Sequence, residues 1–278
     1  MPERIGFVGL GNMGKPLAKR LVRAGYHVTV CGHKRTEPVE ELKAAGATAV
    51  TSCKDVARAS DVIITMVQDD AQTEEVIWGK NGIWEELKAG STIIVMSTIT
   101  RGLCTRIGDK ASERGIGMLD APVSGIPSEC ENGTVLIMVG GEERLLTQCS
   151  PILGVLGKAV LHMGPVGAGQ TAKLLSEVIV MSNMFAAGEG LTLGIAAGIN
   201  LKRLLEYMKM SAANSWVLEH WEHLAGLTTQ IHPSTGKSPI VNIYRKLGMA
   251  LDLGKELGVD LPITALASKL DILKLPKP

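Results

Sequence analysis

Three glycines stand at Gly9, Gly11 and Gly14 in "FVGLGNMG", directly after an apolar run and at the start of a helical pattern. Glycines at that spacing permit a tight turn and a close backbone approach to a pyrophosphate. The anion then sits on free helix N–H groups at the positive end of the dipole. As the first turn of a strand–helix–strand unit, the stretch Gly9, Leu10, Gly11, Asn12, Met13, Gly14 reads as a dinucleotide-binding turn rather than a merely structural one. The end of the second strand tells the two nicotinamide cofactors apart, because an acid there holds a ribose 2′-hydroxyl and repels a 2′-phosphate. Here the segment is "VCGHKRTE": no carboxylate precedes Glu37, while His33, Lys34 and Arg35 offer donors to a phosphate. NADP(H) is therefore expected in preference to NAD(H), the competing reading of the run being a solvated basic loop. A second stretch, "GPVGAGQTAKLLSE" from Gly164 to Glu177, passes from small residues to one lysine, Lys173, and one acid a helical turn later.

The elements that must hold these residues follow from hydrophobic pattern. "RIGFVGL", "YHVTVCG", "DVIITMV", "STIIVMS", "GIGMLDA" and "TVLIMVGG" are short runs rich in Val, Ile and Thr, as buried strands require. Amphipathic segments lie between them, such as Met13 to Ala24 with Pro16 in its first turn. Alternating strands and helices imply a largely parallel sheet with right-handed crossovers. From Gln170 to Ile195 no proline and no β run appears, which predicts a long helix starting near Gly167. Helical patterns continue through "LKRLLEYMKMSAANSWVLEHW" and "YRKLGMALDLGKELGV", separated by the polar loop "TTQIHPSTGKSP". The fold class is α/β: an N-terminal Rossmann domain with a doubly wound parallel sheet, residues 1–163, then an all-helical domain, residues 164–278, for substrate binding and dimerisation. The long apolar helix has more surface than one small helical domain covers, so a homodimer or homotetramer is expected.

Composition excludes other classes. The chain has 278 residues, 45% hydrophobic and 21% charged, with a formal charge of +1, which removes the electrostatic case for nucleic acid or an anionic membrane as partner. The start "MPERIGFVGLGNMG" has no leader pattern, so a cytoplasmic protein is expected. Five cysteines without a CxxC pair argue against disulfides and zinc and read as reduced thiols. "EHWEH" sets His220 and His223 three apart on a helix, more in keeping with a polar face than with a metal site; no metal is expected.

Several motifs in order, the GLGxMG turn, "DAPVSG" at Asp120–Gly125 followed by "GTVLIMVGG", and "GPVGAGQTAK", make the chain resemble the β-hydroxyacid dehydrogenases over nearly its whole length. That family includes 3-hydroxyisobutyrate dehydrogenase and the glyoxylate/succinic semialdehyde reductases. "SAANSW" and "ALDLGKELGVDLP" extend the match. The resemblance implies hydride transfer between a nicotinamide cofactor and a small anionic hydroxy acid or aldehyde acid, with Lys173 as general acid/base. Such a group is needed because alkoxide character develops on the substrate oxygen. The small residues before Lys173 would let the helix start approach nicotinamide and substrate. By the same resemblance Ser124 and Gly125 hold the substrate carboxylate, Ser97 and Thr98 lie at the nicotinamide edge, and Val67, Gln68 and Gln72 line the cofactor. Trp216 is either a pocket residue or helix packing.

Four positions depart from the family pattern. Ile126 replaces a second glycine at the carboxylate site, adding bulk and narrowing backbone donation. Ser176 and Glu177 replace two asparagines. Arg245, on the cofactor side, and Lys246, on the substrate side, replace a Lys-Asp pair, so two cations are expected where one cation and one anion are usual; a substrate with a second anionic group would suit them. Val95 replaces an aspartate. Glu177 falls four residues after Lys173, on the same helical face. If ionised beside it, Glu177 keeps the lysine protonated and favours reduction; the alternative is that it points to the subunit interface and pairs elsewhere. Two alternatives, an imine reductase-like enzyme and a non-catalytic NADP(H)-binding module, are disfavoured by the presence of Lys173 and "DAPVSG".

Overall fold

The structure is a computed structural model that describes residues 4–33, 35–227, 240–270 and 276. Lys34 and the loop "TTQIHPSTGKSP" lie outside the described residues. The chain forms two compact units, residues 1–173 and 174–278.

In the first unit the strands are β1 (Arg4–Val8), β2 (His27–Cys31), β3 (Thr48–Val50), β4 (Val62–Thr65), β5 (Thr92–Val95), β6 (Gly117–Asp120), β7 (Val123–Ser124), β8 (Val135–Gly140) and β9 (Gly157–Gly164). Helices α1 (Gly14–Arg23), α2 (Glu37–Ala44), α3 (Cys53–Arg58), α4 (Asp70–Trp78), α5 (Arg101–Glu113), α6 (Pro127–Asn132) and α7 (Glu143–Leu156) connect them. The sheet runs β3-β2-β1-β4-β5-β6-β8-β7, with β9 paired to β8. Pairing is parallel from β3 to β6 and antiparallel where β8 meets β6 and β7. Because successive strand residues point to opposite faces, Ile64, Ile94 and Met96 join one apolar cluster with Phe7 and Leu17, whereas Ile63, Ile93 and Val95 join another with Leu103 and Ile107. Two such cores, one per face, are what make the sheet doubly wound.

Three strands escape the sequence pattern. β3 is three residues long and β7 two, too short to display a period. β9 has one buried residue and so lacks a buried run.

The long helix α8 spans Ala168–Ala196, and its first turns belong to the sheet. Asp120, the fully buried last residue of β6, accepts hydrogen bonds from the Gly167 and Gln170 N–H groups, each at 2.7 Å. Burial lifts its carboxyl above the usual range, against the pull of those two donors. The Gln170 side chain donates to the Ser97 carbonyl (2.8 Å) and accepts from the Ile99 N–H (3.1 Å), just beyond β5. A Cβ at Gly169 would stand 2.5 Å from the Met138 carbonyl oxygen, and one at Gly140 2.3 Å from Asp120 Oδ1. The sequence places the division at Gly164; the compact units divide after Lys173 because these bonds tie the opening of α8 to β5 and β6. They also give Gly169 a different reason to be small, namely seating against the sheet's own backbone.

The second unit holds the rest of α8 with α9 (Leu201–Met210), α10 (Trp216–Glu219), α11 (Trp221–Leu227), α12 (Ile240–Leu257) and α13 (Pro262–Ala267). The pattern read as continuous through "SAANSW" breaks there: Ser215 caps α10 by accepting from the Leu218 N–H. Trp221, Met184, Leu191 and Leu247 lie in the core of this unit.

Removing the Asp120 carboxylate should cost more than an ordinary surface change. Asp120→Ala leaves two buried N–H groups unpaired, and we expect a loss of about 2–4 kcal/mol, with Asp120→Asn losing less. Urea unfolding measures both, and an unchanged midpoint for the alanine variant would remove this carboxylate as the anchor of α8.

Candidate active site

At the carboxyl ends of β1 and β4 the strand order reverses, the place where open α/β sheets bind ligands. The three glycines after β1 have different reasons to be there. Gly9 has φ +103°, and a Cβ on it would meet the Met66 carbonyl oxygen at 2.2 Å; one on Gly14 would meet the Gly9 carbonyl oxygen at 1.9 Å. Those two are demanded by the chain's own packing. A Cβ on Gly11 would find no atom within 4 Å, so its bareness leaves open space against the turn. The adjoining α1 has no side-chain cap at Met13 and no acid in its first turn. Open space beside an uncapped helix start fits a pyrophosphate, so Gly9 to Gly14 would hold the dinucleotide there.

His33 and Arg35 are exposed beyond β2. Nearby, Lys15 bonds Glu41 at 2.8 Å and, with help from Lys19 and Arg35, holds that carboxyl below its usual range. One acid thus faces several cations, and Glu37 stands at the start of α2. Beyond β4, Val67 donates its N–H to Ser97 Oγ (2.8 Å), and Gln68 donates its N–H to Gln72 Oε1 (3.2 Å). The loops after β4 and β5 are in this way fastened together, with half-buried Thr98 on the second.

Ser124 ends β7, and Gly125 follows where a Cβ would crowd Glu129 and Val135, each at 2.8 Å. The Ile126 N–H donates to Glu129 Oε2 at 2.9 Å. The Ile126 N–H is therefore engaged within the turn and not held open for a substrate. Cys130 of α6 contacts Met13 (Sγ–Sδ 3.8 Å), and Arg20 of α1 donates to the Glu131 and Val155 carbonyls. Helix α6, which follows the "DAPVSG" turn, is thereby tied to the helix that follows the glycines.

Lys173 is 7% exposed. It lies three residues beyond Gln170 on a helix whose start crosses the ends of β5 and β6. Sheet edge, glycine turn, hydroxyls and one buried lysine thus belong to one unit, a constellation suited to proton transfer beside a nicotinamide.

Comparison with known proteins agrees. A family model for the NAD-binding domain of 6-phosphogluconate dehydrogenase matches residues 4–164. A second, for the NAD-binding region of NADP-dependent 3-hydroxyisobutyrate dehydrogenase, matches residues 167–271. The chain is 37% identical to 2-hydroxy-3-oxopropionate reductase of Escherichia coli K12, covering 96% of this chain and 89% of that protein. It is 32% identical to NAD-dependent L-serine dehydrogenase of Pseudomonas aeruginosa, covering 96% and 91%. The crystal structure of 3-hydroxyisobutyrate dehydrogenase from Salmonella typhimurium superposes with a TM-score of 0.83 at 28% identity, covering 96% of this chain and 92% of that one. The chain belongs to the β-hydroxyacid dehydrogenase family. It is an NAD(P)-dependent enzyme of that family.

Membership gives the departures their meaning. In the second unit the Glu177 carboxylate and the Lys246 ammonium of α12 form an ion pair at 2.6 Å, both largely buried, with side chains 12% and 21% exposed. Two of the positions that depart from the pattern the resemblance implies, Glu177 and Lys246, thus meet each other. The pair gives Lys246 an anionic partner from the chain itself and gives Glu177 a cation on α12. Arg245 bonds Met249 Sδ at 3.1 Å. Trp216, 46% exposed, stacks on His220 with ring centroids 4.2 Å apart, and His220 Nδ1 lies 2.9 Å from the Trp216 carbonyl oxygen. Val95 is fully buried in the core and pairs with Asp120 across β5 and β6.

Sequence reasoning gave no role to Asp120, Gln170 or Glu129, although all three lie in or beside the motifs it quoted. A carboxylate closing a strand and followed by small residues was the available signal for Asp120.

The Glu177–Lys246 pair yields a direct expectation. Each single alanine variant removes one member of a largely buried ion pair, so the double variant should be less unstable than the sum of the singles. Thermal unfolding of the four proteins should give a coupling of about 1–2 kcal/mol; strict additivity would show that the pair does not act as one.

Proposed function

We propose that this chain is an NADP(H)-dependent enzyme that interconverts a small β-hydroxy acid and the corresponding aldehyde acid, with Lys173 as general acid/base. The observation that carries the reading is the seating of the Lys173 helix on Asp120 and Ser97 at the carboxyl end of the sheet, the end that also bears the glycine turn. When bound, the nicotinamide would supply or accept the hydride. Ser124 and Gly125 would hold the substrate carboxylate by hydroxyl and N–H donation, fixing the carbon that reacts. Lys173, as ammonium, would give a proton to the carbonyl oxygen during reduction, and as neutral amine would take it back during oxidation. The preference for NADP(H) rests on the absence of an acid at the end of β2 together with exposed His33 and Arg35. A relative named as NAD-dependent makes this loop, and not membership alone, the deciding feature. A relative named as a 2-hydroxy-3-oxopropionate reductase puts that aldehyde acid first among substrates to try.

Kinetics test the reading. NADPH oxidation should be steady with 2-hydroxy-3-oxopropionate, succinic semialdehyde or glyoxylate. Lys173→Ala should lower kcat by about a hundredfold or more while NADPH still binds. Arg35→Ala should weaken NADPH by about tenfold and NADH little, since a charged hydrogen bond contributes about 1.5–3 kcal/mol. Full activity in the lysine variant, or equal loss for both cofactors in the arginine variant, would overturn the corresponding assignment.

The proposed assembly is a homodimer or homotetramer. The most apolar window of α8 is only 28% buried, and by length and composition alone this helix is apolar enough to cross a membrane. Leu175, Ile179 and Leu193 are exposed along it, as is Met210 on α9. Burying that surface against a second copy is favourable at about 25 cal/mol per Å². Sedimentation at micromolar concentration should give a dimer or larger species, and a monomer throughout would exclude it.

A further inference from the structure

Cys31 ends β2 and Cys53 opens α3, with their sulfurs 3.6 Å apart. Both are free thiols. They share a small apolar cluster with Val8 and Val56, in which Cys31 is buried and Cys53 half-buried. A disulfide has an S–S distance of about 2.05 Å, so bond formation closes a gap of about 1.5 Å, a movement two side chains can divide between them.

The two thiols are unequal. The Cys31–Cys53 hydrogen bond and Cys53's own backbone N–H hold the Cys53 thiol below its usual range, while Cys31 is held above it. The more ionisable sulfur is also the more exposed, the arrangement of an attacking thiol and a resolving one. Burial pushes Cys104 up and Cys130 up to about 12, and Cys149 is buried, so oxidants meet Cys53 first.

We propose that Cys31 and Cys53 form a reversible disulfide that weakens cofactor binding at the adenosine end of the site. The effect on the cofactor rests on the dinucleotide reading above; the bond itself does not. With a low-molecular-weight disulfide as oxidant, the Cys53 thiolate attacks one of its sulfurs and releases one thiolate. Cys31 then attacks Cys53 Sγ of the mixed disulfide, losing its proton and releasing the second thiolate. Two protein thiols are oxidised and one small disulfide is reduced to two thiols. Cys31 lies opposite Val50 in the β2–β3 register and directly precedes the loop of His33 and Arg35. Gly32 itself has little room, since a Cβ there would lie 3.1 Å from Val39 and 3.3 Å from the Arg35 carbonyl oxygen. Part of the closure of the sulfur–sulfur gap falls on the backbone at the end of β2, which carries the start of the loop, because Cys31 is the last residue of its strand. Lys173, held by β5 and β6, keeps its place.

The test treats the purified enzyme with glutathione disulfide and maps peptides without reduction. The expected result is a Cys31–Cys53 cross-link, reversed by dithiothreitol, with KM for NADPH raised about threefold to tenfold and kcat at saturating NADPH unchanged. Cys53→Ser should keep basal activity and show no response to the oxidant. The proposal is overturned by absence of the cross-link, by a cross-link that leaves KM unmoved, or by an equal response in Cys53→Ser. Should the reduced enzyme bind no nicotinamide cofactor at all, the dinucleotide reading fails and the cofactor half of this proposal with it; the peptide map still decides the bond.

Discussion

A single buried carboxylate organises the first unit. Asp120 ends β6 with no exposed surface, and its two oxygens accept the N–H groups that open α8. Those N–H groups have no intrahelical partner of their own, so strand end and helix start each satisfy what the other lacks. Glycine at 140 and 169 makes the approach possible, and Gln170 adds a second fastening to the loop after β5. The position of Lys173 is a consequence of these bonds, because three residues of helix leave it little freedom once the start is fixed.

Most of this fold could be read from the chain because its signals are local. Buried parallel strands announce themselves as apolar runs, as in "VIIT" of β4 and "TIIV" of β5, and the glycine turn announces itself by spacing. What stayed hidden depends on partners distant in sequence. β7 and β9 exist through pairing with β8, and Asp120 earns its role only when Gly167 arrives from 47 positions away. The candidate site was legible in the same uneven way: Lys173 and Ser124 stand in motifs, whereas the binding of Glu129 to the Ile126 N–H needs a folded turn to be seen.

The charges of the second unit make the same point. Glu177 and Lys246, taken one at a time, suggest a bias on a lysine and an added cation. Across 69 positions they make one ion pair. Departures from a family pattern are safer to interpret after asking whether they compensate each other, since a buried charge without a partner is far more costly than a matched pair.

The glycine turn holds two kinds of constraint in six residues. At Gly9 and Gly14 a side chain would collide with the chain itself; at Gly11 it would collide with nothing the chain supplies. Selection on folding sees the first two and is blind to the third. A descendant that abandoned its nucleotide would keep Gly9 and Gly14 and be free to lose Gly11, so that one position records whether the scaffold still serves a ligand.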